Sequence, residues 1–174
     1  MSYDRNNGFN YDAINALSFF GRAYDRVYEL ESFVERLIGF TIPVIIGDFF
    51  DPRFYTFAMA ANVNNDFIII NDHILENMDL ARAIIAHEIG HLAHFDRNNR
   101  RVNNEGILDN NFMEVEADEF SISHTSRESG EELVRFLNGM AALIPNLSCT
   151  RRARRQLNTR INSARQNIRR YYAA

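Results

Sequence analysis

Two histidines four residues apart, His87 and His91, stand with a glutamate, Glu88, inside the stretch "AHEIGHLAHF". On an α-helix, positions 87 and 91 are about 40° apart around the axis and one turn apart along it. Their imidazoles then point the same way and can hold one metal ion. Glu88 lies about 100° round from His87, placed to polarise a metal-bound water without ligating the metal itself. The residues around them, Leu80, Ala83, Ile84, Ile85, Ala86, Ile89, Leu92 and Ala93, make such a helix apolar on nearly every side. Polar groups on a buried helix need partners, and a metal with a water supplies them together. The blander reading, two core histidines bonded to carbonyls, explains less.

A catalytic zinc takes three protein ligands and keeps one position for water. His94 follows His91 by three residues, and a further turn carries it past a metal held by 87 and 91. A third histidine ten residues after the first would suit another zinc pattern, but Arg97 stands there. Cys149 has no ligand motif around it. The stretch "MEVEADEF" offers more. Glu114 and Asp118 are spaced i, i+4 on one helix face, while Glu116 points elsewhere. Glu114 can ligate the metal, and Asp118 can accept the outward N–H of a ligating histidine, which fixes its tautomer. Taken alone, these acids read as a solvent-facing helix start. The histidine pair upstream favours the ligand reading.

Several elements must position these groups. Apolar positions Ile14, Leu17, Phe20, Tyr24, Val27, Leu30, Val34, Leu37 and Ile38 predict a long amphipathic helix over 11–39, with Asn10 as its cap and Gly39 as its stop. β-branched and aromatic runs then predict strands at about 41–47, 54–62 and 67–71, the last two joined as a hairpin. Pro43 puts the first strand at an edge or makes it irregular. Asp79 is the expected cap of a helix over 80–94. A polar Asn-rich loop at 96–111 leads to helices at about 111–128, closed by Ser129–Gly130, and 131–144, ending before Pro145.

"IIAHEIGHLAHF" followed by "MEVEADEFS" resembles the gluzincin metallopeptidases, most of all the HtpX and CAAX-prenyl-protease group, which pairs H-E-x-x-H with E-x-x-x-D. The order of strand "DFIIIND", short helix and histidine helix is also similar, and the likeness spans roughly 41–145. Lacking transmembrane helices, the chain looks more like the small minigluzincins. ImmA/IrrE-type proteases are a second relative, but they tend to carry Asn where Asp118 stands.

The resemblance implies an α+β, zincin-like fold, with a small three-stranded sheet packed on the active-site helix and further helices. It implies one metallopeptidase domain over 1–149, containing the helix 11–39 and the core 41–145, then an Arg-rich C-terminal helix over 150–174. By the same likeness the protein is a zinc-dependent endopeptidase acting on a protein substrate through a metal-bound water. His87, His91 and Glu114 bind Zn, Glu88 is the general base and Asp118 supports a ligand. Substrate lies extended along an edge strand, and by position Thr56, Phe57, Ala58, Met59 and Ala60 contact it. Tyr55 and His124 are candidates to stabilise the oxyanion; neither is assigned, and His124 is about 15 Å along the helix from Glu114. The alternative is a non-catalytic or regulatory metal-binding protein, a switch or virion component, on the same fold.

Composition bounds the rest. With 174 residues, 46% hydrophobic and 24% charged, the chain can bury a sizeable core. It has no apolar run approaching the ~18 residues of a membrane helix, and the segment "MSYDRNNGFN" lacks the blocks of a signal peptide. One cysteine excludes an internal disulfide. A cytoplasmic protein is expected, or a host-cytoplasmic or virion-internal one if viral. All 19 basic residues are arginine, a bias that GC-rich coding explains poorly beside 20 Asn and 17 Ile. Residues 151–174 hold eight Arg and no acid, against a net −4 for the whole chain. This tail has three readings. It docks Leu157, Ile161 and Ile168 on the acidic body, or it binds a polyanion or nucleic acid through 151–170, or it meets a partner helix or membrane surface.

Overall fold

The computed structural model describes residues 17–47, 58–60, 67–97, 106–144 and 151–173. Within them the fold is α+β, as expected. The chain forms two compact units, Met1–Met78 and Asp79–Ala174.

The first unit begins with helix α1, Leu17–Ile38. Ala23, Leu30 and Val34 form its buried side. Tyr24 does not belong to that side: it is 73% exposed, because it sits 100° round from Ala23. Gly39 ends the helix with φ +82° and donates its N–H to the Glu35 carbonyl at 2.8 Å, the left-handed stop that glycine adopts without strain. Residues 11–16, the expected first turns and their Asn10 cap lie outside the described residues. Strands β1 (Val44–Gly47), β2 (Ala58–Ala60) and β3 (Ile68–Asn71) form one sheet in the order β1-β3-β2. β1 runs parallel to β3, Val44 opposite Ile68, and β2 runs antiparallel to it, Ala58 opposite Ile70. The expected hairpin pairing of β2 with β3 is therefore present. β3 is buried along its whole length, as a central strand should be. Pro43 falls just before β1, an edge strand, and its carbonyl accepts from the Ile68 N–H. Glu31 on α1 accepts the Val44 N–H at 3.1 Å, tying helix to strand. A 3-10 helix, Asp72–Glu76, follows β3.

The second unit is helical: α2 (Met78–Arg97), α3 (Gly106–His124), α4 (Arg127–Leu143) and α5 (Arg151–Tyr172). α2 begins one residue before Asp79, so Asp79 lies in its first turn rather than at its cap. There the carboxylate accepts from Arg82 at 3.1 Å and from Ser129 at 3.2 Å. The break between α3 and α4 falls at Thr125–Ser126, not at Ser129–Gly130. Ser126 caps α4 by accepting the Ser129 N–H. Gly130 serves packing instead: a Cβ there would meet Ile168 of α5 at 3.2 Å.

Ala83, Ile122, Leu133, Leu137, Ile161 and Ala164 form the core of this unit, with Leu157, Ile168 and Tyr172 packed against it. The docking reading of the arginine tail is thus the observed one: α5 lays its apolar stripe on α3 and α4. Its end is fixed where the Tyr172 hydroxyl meets the carbonyls of Ile122 and Thr125, which the end of α3 leaves without helical partners. None of the described helices is long and apolar enough to cross a membrane.

Candidate metal centre

α2 and α3 must lie close together before residues 27 positions apart can share a ligand. Gly90 allows it. A Cβ on Gly90 would meet the Ala117 Cα at 3.0 Å and the Phe120 Cβ at 3.1 Å. Ala117 is itself fully buried. A glycine inside a helix costs about 1 kcal/mol against alanine, and here that cost secures the close approach. Two turns nearer the start of α2, the buried Ser121 hydroxyl donates to the Ala83 carbonyl at 2.7 Å.

With the helices so placed, three donor groups converge. The Nε2 atoms of His87 and His91 face each other at 3.0 Å, their rings almost perpendicular at 89°. Glu114 reaches His87 Nε2 with Oε2 at 3.4 Å and His91 Nε2 with Oε1 at 3.3 Å. Tetrahedral coordination at zinc-like bond lengths of about 2.0–2.1 Å separates neighbouring ligand atoms by about 3.3 Å. Two imidazole nitrogens aimed at one another need a proton or a metal between them. The three residues fit a metal ion on distance, direction and donor type, and form a group able to hold one.

Behind them lies an ionic cluster. Asp118 is fully buried, and its Oδ1 lies 2.9 Å from His87 Nδ1. The approach is offset, so Nδ1 has no well-directed acceptor; the contact is charge attraction more than a straight hydrogen bond. It still favours a proton on Nδ1 and a lone pair on Nε2, the metal-facing atom. Asp118 is held in turn by Arg160 of α5, whose Nε and Nη2 donate to Oδ2 and Oδ1 at 2.8 and 2.9 Å. The third guanidinium nitrogen, Nη1, lies 2.7 Å from Glu114 Oε2. The Arg160 side chain is only 14% exposed, and Glu88 acts on it through charge.

These contacts shift the protonation of the metal-free site. Burial opposes a charge on His87, but Asp118 and Glu114 outweigh it and push its pKa up to about 9. Burial alone would raise Glu114; the two histidines and Arg160 hold it well below the usual carboxylate range. Asp118 is likewise lowered, because its bonds to Arg160 and His87 outweigh its desolvation. Perturbations of this kind concentrate at functional sites.

Of the residues singled out by sequence, His87, His91, Glu114 and Asp118 come together. Glu88 is part-buried on α2 beside His87. His94 lies within α2. Glu116 is also part-buried, on α3. His124 stands at the end of α3, exposed and stacked on Phe120 at 4.1 Å. Ala58, Met59 and Ala60 form β2, whereas Tyr55, Thr56, Phe57 and Cys149 lie outside the described residues. Sequence reasoning missed Arg160. Its one signal was position: in "LNTRIN" it sits next to Ile161, beside the apolar stripe of a helix most of whose arginines are exposed.

A family model described as Peptidase family M48 matches residues 41–155 of the chain. No curated protein and no solved structure matches it significantly.

Proposed function

The chain belongs to peptidase family M48, a family of metal-dependent peptidases, and from that premise we propose that it is a zinc endopeptidase of protein substrates. One observation carries the proposal: two imidazoles and a carboxylate, from helices separated in sequence, aim their donor atoms at one point. A His₂Glu set that leaves a coordination position open is what zinc uses for hydrolysis. In this reading His87, His91 and Glu114 hold the ion. Zinc held there supplies Lewis acidity, which makes a water nucleophilic near neutral pH and polarises a peptide carbonyl.

The remaining work falls to side chains. Glu88 takes the proton of the attacking water and returns it to the leaving amine nitrogen. Asp118 keeps the His87 proton on Nδ1 so that Nε2 stays available. β2, at an edge of the described sheet, is our candidate for the edge to which an extended substrate adds as a strand, with Thr56 to Ala60 as the contacting residues. A polyanion or nucleic acid would have only the outer arginines of α5 to bind, since its inner side is committed to the core and to Asp118.

The test is metal removal. Exhaustive chelation should abolish cleavage of a denatured protein mixture, and stoichiometric zinc should restore it. Cleavage that survives chelation with no metal remaining would refute the proposal.

A further inference from the structure

Arg160 connects the two carboxylates behind the histidines, and its geometry has a consequence for how Glu114 can bind a metal. The guanidinium is planar, with its donors in a fixed fork. Nε and Nη2 are locked on Asp118, a residue with no exposure of its own. Nη1 therefore cannot swing away, and it sits 2.7 Å from Oε2 of Glu114. Both Glu114 oxygens face a histidine nitrogen, Oε1 that of His91 at 3.3 Å and Oε2 that of His87 at 3.4 Å, and Oε2 is the one that the arginine engages.

We propose that Arg160 is a positioning residue that restricts Glu114 to metal ligation through one oxygen, Oε1. The inference rests on the reading of His87, His91 and Glu114 as metal ligands. Two-oxygen ligation would commit Oε2 to the ion in competition with Nη1, which already holds it at 2.7 Å. That would leave a buried guanidinium N–H without its acceptor, which is costly for a charged donor. Held to one oxygen, Glu114 fills one position, the histidines two more, and a position stays open for water and substrate. The arginine also offsets the second negative charge that Glu114 and Asp118 would otherwise place side by side.

Cobalt substitution tests this, because the visible bands of Co(II) weaken as coordination rises from four to five or six. The comparison uses full-length wild type, Arg160→Met and Arg160→Lys, each checked for folding by circular dichroism. Wild type should show intense four-coordinate bands. Arg160→Met should bind metal about 10–100-fold more weakly, with bands weakened toward higher coordination. Arg160→Lys keeps the cation but not the fork, so it should shift the same way and carries the test should Arg160→Met fail to fold. Bound cobalt with the same spectrum in wild type and the folded variants would overturn the proposal and leave the metal centre standing. A five-coordinate wild type would overturn it too. A wild type that binds neither cobalt nor zinc would instead overturn the metal centre, and this inference with it.

Discussion

At the scale of single residues, the site is a chain of charge pairings from the converging donor atoms of His87, His91 and Glu114 back to a buried arginine. Each pairing shifts a protonation equilibrium, and the signs fix how the metal-free protein responds to pH. Asp118 is lowered on folding, so its contribution to stability is complete above its unfolded value of about 3.9 and is lost as pH falls through its lower folded value. His87 is raised to about 9. Its contribution is complete below the unfolded value of about 6.5 and is lost as pH rises through 9. The metal-free protein should therefore be most stable between about pH 4 and 6.5, and its urea midpoint should fall between pH 6.5 and 9. A midpoint that climbs over that upper range would contradict the pairing of His87 with its two acids. The two pairs, His87 with His91 and Glu114 with Asp118, were legible as candidate groups from spacing, because i, i+4 places side chains on one helix face whatever the rest of the chain does; joining the pairs took the motif and the resemblance it carries. Arg160 was not, because 42 residues separate it from Asp118 and its place beside Ile161 does not say which acids it meets.

At the scale of elements, two contacts decide whether the ligands meet. The first is the α2–α3 approach at Gly90. Gly90→Val would drive side-chain atoms into the Ala117 backbone, already 3.0 Å from a simple Cβ. Overpacking of this kind costs about 1–3 kcal/mol, and the forced separation should weaken zinc binding as well. Urea denaturation and a zinc-competition titration read the two effects; unchanged values for both would show that the close approach of α2 and α3 does not depend on Gly90. The second contact is α5 on the core. Ile161, 4% exposed, stands next to Arg160, and Ile161→Ala should cost about 2–5 kcal/mol by calorimetric or urea unfolding. A loss below about 0.5 kcal/mol would mean that α5 is not part of the core. Helix existence was readable from periodicity, but helix ends were less so. Ser129 and Gly130 look like a stop in sequence, yet Gly130 is there because Ile168 needs the room. Tyr24 looked like part of the α1 stripe because aromatic residues can face either way on an amphipathic helix.

At the scale of the whole molecule, an acidic chain of net −4 carries a 22-residue helix with no acid in it. The helical unit accounts for part of that imbalance. Arg160 is buried on Asp118 and Glu114, and Arg170 meets Glu119 at 3.3 Å. The apolar stripe of α5 and the charge asymmetry were both visible in the sequence, and together they favoured docking over a free tail. Which acids received the arginines was not visible, since that depends on how α3 and α5 cross. The lack of lysine has no structural account.

The claim on which the rest depends is that this fold assembles a hydrolytic zinc site, and the Glu88→Gln variant tests it most directly. Zinc content and new N-termini in a denatured protein mixture are measured together for wild type and variant. The account predicts about one zinc per chain in both, and cleavage by the wild type that falls at least about 100-fold in the variant. Zinc bound equally by both with equal cleavage, or with none by either, would contradict it.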